Sequence, residues 1–248
     1  TDHSLEIMTD QSNSIQDRDI LKREVLDKYK KEKNKIGSIN KSRFENILSV
    51  IRCQDDNIQQ IIISVRSWFQ KPAKPLIFFL AGTSGTGKSF TAEKLAEAMR
   101  EYGYKYSFFP MNEYADEQRA YEIFGLPPGI TGDRDKPKLF NDLESTNGKL
   151  IVCFDEVEKA YSGFYQRIMS LMQNGIIEWS NEQWDFRKCI IVMTSNIAME
   201  QFVNLKKRYH GKIREADDVE KFKDETAKIL NDNGIPSYIT GRIDKTLI

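Results

Sequence analysis

The sequence predicts an α/β fold: a parallel five-stranded sheet with helices on both faces, three layers in all. Three observations predict it. The apolar runs Leu76–Leu80, Leu150–Phe154 and Cys189–Met193 are continuous rather than alternating, as strands buried on both faces are. Stretches with helical spacing separate them, and strands alternating with helices build a parallel sheet. A glycine-rich loop, Gly82–Ser89, lies between the first run and a helical pattern from Phe90 to Arg100.

From the N-terminus, residues 1–40 read as a polar, partly helical extension and 41–248 as one domain. Residues 1 to about 16 are polar and aperiodic and read as disordered. Asp17–Lys35 carries Ile20, Leu21, Val25 and Leu26 on a thin helical stripe. Its Lys28–Lys35 end reads as a solvated helix face, with nucleic-acid contact as the alternative. Gly37-Ser38 marks a break, and Ser42 is placed to cap the next helix. Asp55 or Asp56 is placed to cap a helix reaching Phe69, with Ile58, Ile61, Ile62 and Val65 on one face; Pro72 and Pro75 end it. After the first strand and its loop come a helix over 90–101, a break at Gly103 and a short strand, Tyr106–Phe109. Asp133–Lys138 reads as a charged loop, and Leu150–Phe154 as the third strand. A helix over 162–173 stops at Asn174-Gly175; Tyr161, Phe164 and Tyr165, after Asp155-Glu156, read as core, or alternatively as a binding surface. Ile176–Trp179 and Gln183–Phe186 flank Ser180-Asn181-Glu182 as a hairpin. Cys189–Met193 is the fourth strand. A charged helical region runs to Asn231, with Lys206–Arg214 and Glu215–Glu220 read as solvated and self-pairing. Ile243–Ile248 is the fifth strand.

Composition removes several classes. Lys+Arg and Asp+Glu each total 37 in 248 residues, so net charge makes no case for a polyanion partner. Cys53, Cys153 and Cys189 are odd in number and scattered, which points to a reducing, cytoplasmic compartment, with Cys153 and Cys189 as small core residues. His3 and His210 are too far apart for a zinc spacing. No apolar stretch approaches the roughly 18 residues of a membrane span, and the polar N-terminus has no signal-peptide core.

The chemistry gathers at strand ends. Gly82, Thr83, Ser84, Gly85, Thr86, Gly87, Lys88 and Ser89 fit a phosphate-binding loop. Glycines let the chain curl so that backbone N–H groups face phosphate oxygens, and the following helix adds its positive end. Lys88 then reaches the outer phosphates and the Ser89 hydroxyl ligates magnesium. Asp155 and Glu156 end a buried strand, where adjacent carboxylates need cationic partners. Asp155 would support magnesium opposite Ser89, and Glu156 would activate water; the alternative is an acidic pair at a helix N-terminus. Asn196 follows the next strand at the edge where parallel sheets bind ligands, though Ser-Asn is also ordinary turn chemistry. Arg242 would complete a neighbouring subunit's site by neutralising transition-state charge, or is a plain surface arginine; the residues alone leave both open.

Together these residues resemble the AAA+ ATPases, a P-loop NTPase family, and within them the Clp/HSP100 clade, from about Val50 onward. Val50-Ile51-Arg52-Cys53-Gln54-Asp55 looks like the clade's adenine-side Val-Ile-Gly-Gln, with one residue inserted and the glycine absent. Gly82–Ser89 resembles Walker A and Leu150–Glu156 Walker B. Phe154-Asp155-Glu156-Val157-Glu158-Lys159-Ala160 is close to Phe-Asp-Glu-Ile-Glu-Lys-Ala. Asp185-Phe186-Arg187 sits where the family has its Val-Asp-Phe strand. Ile191–Asn196 resembles the sensor-1 strand, and Gly241-Arg242-Ile243-Asp244 the family's Asn-Arg-Ile-Asp. The resemblance implies ATP and Mg2+ as cofactors, with Val50, Ile51, the loop 82–89 and Phe90 binding nucleotide. It implies Asn196 as the sensor and Arg242 as an arginine finger acting in trans in a homo-oligomeric ring. Phe124–Gly132 aligns with the clade's pore loop, with Ile130 in place of the aromatic that grips a polypeptide. The chain stops where the family's small helical lid would begin, so that subdomain is expected to be absent.

The resemblance implies an ATP-hydrolysing protein that remodels protein substrates. The competing reading is a nucleotide-dependent scaffold that recruits a partner through residues 1–40; Ile130 favours it and Glu156 opposes it. A nucleic-acid motor is a third reading, opposed by the balanced charge and the 154–160 block.

Overall fold

The computed structural model describes residues 39–51, 54–125, 136–180, 182–209 and 216–248. The expectations for the N-terminal extension, Arg52, Cys53, the segment 126–135 with Ile130, and 210–215 lie outside the described residues. The unit described is Asn40–Ile248.

Helix α1 (Lys41–Leu48) starts behind Asn40, whose Oδ1 accepts the Arg43 N–H at 3.2 Å. Ser42, the expected cap, lies two positions too late, inside the first turn: a capping side chain must precede the helix on non-helical backbone. Helix α2 (Asp55–Gln70) follows Gln54 with no side-chain cap. Asp55 and Asp56, also expected as caps, fall inside its first turn, where their charges meet the positive end of the helix dipole instead.

Next come β1 (Leu76–Ala81), α3 (Lys88–Met99), β2 (Lys105–Pro110), α4 (Glu117–Phe124), α5 (Lys138–Ser145) and β3 (Leu150–Asp155). Then follow α6 (Phe164–Asn174), the hairpin strands β4 (Ile176–Trp179) and β5 (Glu182–Asp185), β6 (Ile190–Ser195), α7 (Met199–Tyr209), α8 (Ala216–Asp232), α9 (Ser237–Thr240) and β7 (Lys245–Leu247). The sheet has five strands in the order β2-β3-β6-β1-β7, with every pairing parallel. The hairpin is antiparallel, with Trp179 opposite Glu182.

Strand alternation decides the layers. Ile77, Phe79, Val152, Phe154, Ile191 and Met193 join one apolar cluster with residues of α4 to α9, among them Phe140, Ile168 and Phe202. The alternate residues Phe78, Leu80, Ile151, Cys153, Ile190 and Val192 are equally buried. On that side α3 packs on β2, β3 and β6, and α1 packs on α3. Both faces are therefore covered, which is why the strand sequences are apolar without alternation. Phe164 and Tyr165 belong to the core. Cys153 and Cys189 are buried free thiols. Among the described residues no helix is long and apolar enough to cross a membrane.

The register brings the strands' carboxyl ends level. Ala81 pairs with Ser195, Phe154 with Met193 and Pro110 with Asp155. Residues just past these positions share one edge of the sheet, where parallel α/β folds bind ligands.

Candidate functional site

The loop between β1 and α3 carries two left-handed glycines, Gly85 (φ 80°) and Gly87 (φ 84°), and an added Cβ at either would meet open space. Their backbone conformation, not crowding, calls for glycine. The N–H groups of Gly85, Gly87, Lys88 and Ser89 find no acceptor among the described residues. Such orphan donors at a helix start suit an anion. Lys88 folds back over the loop, and its Nζ donates to Gly82 O at 2.7 Å, Thr83 O at 2.9 Å and Asn196 Oδ1 at 2.8 Å. Burial lowers the Lys88 pKa from its ordinary 10.5, while Asp155, Glu158 and Glu156 oppose that shift.

Across the edge, β3 delivers Asp155. Its Oδ1 accepts from Ser89 Oγ at 2.5 Å and from Thr194 Oγ1 at 2.6 Å. Two hard oxygens, one from each loop, thus converge. Magnesium is held by one or two protein oxygens plus phosphate rather than by an all-protein cage, so the pair fits it. Among the described residues no group of three or more His, Cys, Asp or Glu could hold a metal ion.

Glu156 follows with left-handed backbone, φ 57° and ψ 56°. A non-glycine residue there is strained and needs an external hold. Thr194 supplies it: Glu156 N–H donates to Thr194 Oγ1 at 2.9 Å. The Asn196 amide spans the site, its Nδ2 donating to Glu156 Oε1 at 2.7 Å while its Oδ1 accepts from Lys88. The sequence-predicted residues Lys88, Ser89, Asp155, Glu156 and Asn196 are therefore one hydrogen-bonded cluster.

Other predicted residues are placed differently. Ile51 is buried, whereas Val50 and Phe90 are exposed, with Lys94 Nζ 5.3 Å over the Phe90 ring. Arg242 lies apart from the cluster, half-buried; its guanidinium donates to Tyr238 O and, at 3.1 Å, to Gln173 Oε1 on α6. Three further residues join the site. Gln54 Nε2 donates to Thr86 O at 2.8 Å and ties the start of α2 to the loop. Thr194 holds both acidic residues, and Glu158 accepts from Ser195 Oγ at 2.7 Å and Asn196 N–H at 3.1 Å. Each lies within a motif that resembles the family's, but the motif alone assigns it no contact.

Comparison with known proteins gives the family and the fold. The family model described as AAA domain (Cdc48 subfamily) matches residues 74–246, well over half of the chain, and the Torsin model matches 22–119. Chaperone protein ClpB of Bacteroides thetaiotaomicron is 27% identical over 200 residues, covering 79% of this chain and 23% of its own. Heat shock protein hsp98 of Neurospora crassa is 30% identical over 160 residues, covering 63% of this chain and 17% of its own. The chain thus spans less than a quarter of the length of these relatives. A closed-state reconstruction of Hsp104 with ATPyS and FITC casein aligns at a TM-score of 0.62 with 25% identity, over 83% of this chain and 34% of that one. The extended S. cerevisiae Hsp104:casein complex aligns at 0.65 with 24% identity, over 85% of this chain and 36% of that one, a likeness of fold. With its phosphate loop, paired acids and bridging asparagine carried on this five-stranded sheet, the chain belongs to the AAA+ ATPases, in the Clp/HSP100 clade.

Proposed function

We propose that this chain binds ATP with magnesium and hydrolyses it, as the nucleotide-binding part of a ring that remodels protein substrates. One observation carries the reading: the Asn196 amide joins Lys88, at the phosphate loop, to Glu156, at the strand end, with bonds of 2.8 and 2.7 Å. A cation, a carboxylate and an amide gathered within hydrogen-bond reach support roles as phosphate ligand, base and orienter. The free N–H groups of the loop cradle the phosphates and Lys88 neutralises their charge. Ser89 and Asp155 would hold magnesium, which when bound supplies Lewis-acid stabilisation of developing charge. Glu156 takes the proton of the attacking water, and Asn196 orients that carboxylate. Arg242 acts on the nucleotide of a neighbouring subunit.

The same reading makes 41–248 the nucleotide-binding domain, assigns 1–40 to partner docking, and puts the protein in a reducing, cytoplasmic setting. The ClpB and Hsp104 relatives support a protein substrate. Ile130, aliphatic at the pore-loop position, favours a second reading as an ATP-dependent scaffold that does not thread its partner.

The test is ATPase rate per subunit against protein concentration, for wild type, Glu156→Gln and Arg242→Ala. A rate that climbs with concentration and collapses in both variants is expected. Nucleotide binding with a negligible rate that neither variant alters would leave the scaffold reading.

A further inference from the structure

Glu158 is two residues past Glu156, on a single 3-10 turn over Val157–Lys159. Its two carboxylate oxygens are used separately: Oε2 accepts from Ser195 Oγ at 2.7 Å, and Oε1 accepts from the Asn196 N–H at 3.1 Å. Ser195 Oγ in turn accepts from the Ile197 N–H at 3.2 Å. Ser195, the last residue of β6, and the two residues after it are thereby held, directly or through Ser195, by one side chain on the turn after β3. Asn196 is in the middle of the three. Its amide must present Nδ2 to Glu156 and Oδ1 to Lys88 at once, and a side chain does that only if its own backbone is held still. β6 ends at Ser195, so no ladder bond fixes Asn196. Glu158 supplies the missing anchor.

We propose that Glu158 is a positioning residue for hydrolysis: by clamping Ser195 and the Asn196 backbone, it sets the Asn196 amide between Lys88 and Glu156. This rests on the hydrolytic reading above. Both Glu158 oxygens are taken up by Ser195 and the Asn196 N–H, so its action on hydrolysis runs through Asn196. Removing it should therefore spoil turnover and spare binding. Losses on removing such outer partners run to about 10- to 100-fold.

The experiment compares the full chain as wild type, Glu156→Gln, Glu158→Ala, Glu158→Gln, Asn196→Ala and the double variant Glu158→Ala/Asn196→Ala. ATP affinity is read from a fluorescent ATP analogue, and kcat from phosphate release. Glu158→Ala is expected to lose about 10- to 100-fold in kcat with affinity held within about threefold. Glu158→Gln, which keeps one acceptor oxygen, should recover part of that loss. The double variant should be no slower than Asn196→Ala alone, because both changes remove one unit. A normal kcat in Glu158→Ala, or losses that multiply in the double variant, overturns the positioning role. A wild type that does not hydrolyse ATP, or that Glu156→Gln does not slow, overturns the hydrolytic reading and this proposal together.

Discussion

Replacing Thr194 with valine removes one hydroxyl and keeps the side chain's shape. Thr194 is wholly buried, so packing is preserved and the hydroxyl's two bonds are the whole effect. It donates to Asp155 Oδ1 at 2.6 Å and accepts the Glu156 N–H at 2.9 Å. A bond to a charged acceptor is worth about 1.5–3 kcal/mol, and a stranded buried N–H costs about 1–3 kcal/mol. Asp155 and Glu156 are only half-buried, so water recovers part of each loss and the net cost comes to about 2–4 kcal/mol. For a domain of this size that lowers the melting temperature by about 4–16 °C. A second effect falls on activity. The left-handed Glu156 stores about 1–3 kcal/mol of strain, which the Thr194 bond helps to hold. Without it the carboxylate swings away from Asn196, so turnover per folded molecule falls as well. Thr194→Ser separates hydroxyl from packing, since it keeps both bonds and loses a methyl worth about 1 kcal/mol. Thermal melts and phosphate release on all three proteins give the order wild type, serine, valine. A valine variant within about 0.5 kcal/mol of wild type, or a serine variant worse than valine, refutes the reasoning.

Gly125→Ala should destabilise by about 2–6 kcal/mol, the sum of strain in a backbone region essentially restricted to glycine and overpacking: φ is 77° and ψ 172°, and the new Cβ would sit 2.1 Å from Trp179 Nε1. Urea melts followed by tryptophan fluorescence measure it, and a wild-type midpoint would contradict the packing. Alkaline pH should also destabilise the fold. Burial raises Tyr104 and Tyr165 well above the usual 10.0, so the folded state keeps phenol protons that the unfolded state releases. Their contribution is complete below about pH 10 and is lost as pH rises toward the folded values. Urea midpoints taken between neutral pH and about pH 11 should fall, and fall less in Tyr104→Phe; identical slopes in the two proteins would exclude Tyr104 as a source.

The sheet and its phosphate edge are legible in the sequence because burial on both faces writes continuous apolar runs, and because Gly82–Ser89 and Asp155-Glu156 are local patterns. Helices α4 and α5 are not legible: each has eight residues, about two turns, and α4 shows only Ala120, Ile123 and Phe124 as a buried face. The caps misled because Ser, Asn and Asp cluster at both helix starts, and only backbone geometry selects Asn40 over Ser42. Asn196 was placed at the correct edge by its position after a strand. Thr194 and Glu158 were not, since their roles exist only through register: Phe154 opposite Met193 sets Asp155 beside Thr194, and no local pattern encodes a pairing between segments nearly 40 residues apart.

Register also limits what Arg242 can reach within its own chain. Strand β7 is parallel to β1, with Lys245 opposite Phe78, and the Asp244 N–H bonds to Ile77 O. Arg242, three residues before β7, is thus level with the residues that precede β1. Its partner Gln173 is at the same edge, because an added Cβ on the nearby Gly175 would lie 2.8 Å from Pro75 Cδ. Asp155 ends its strand, and Lys88 and Asn196 follow theirs, at the opposite, carboxyl edge. Six residues of strand separate the two edges, a span of about 17–20 Å, whereas an arginine side chain reaches well under half of that. Arg242 therefore cannot complete the site of its own chain. Any nucleotide it serves is bound by a second copy, which is why the hydrolysis test turns on protein concentration. Dilution should abolish turnover in the wild type while leaving nucleotide bound, and a rate per subunit independent of concentration would remove Arg242 from the mechanism.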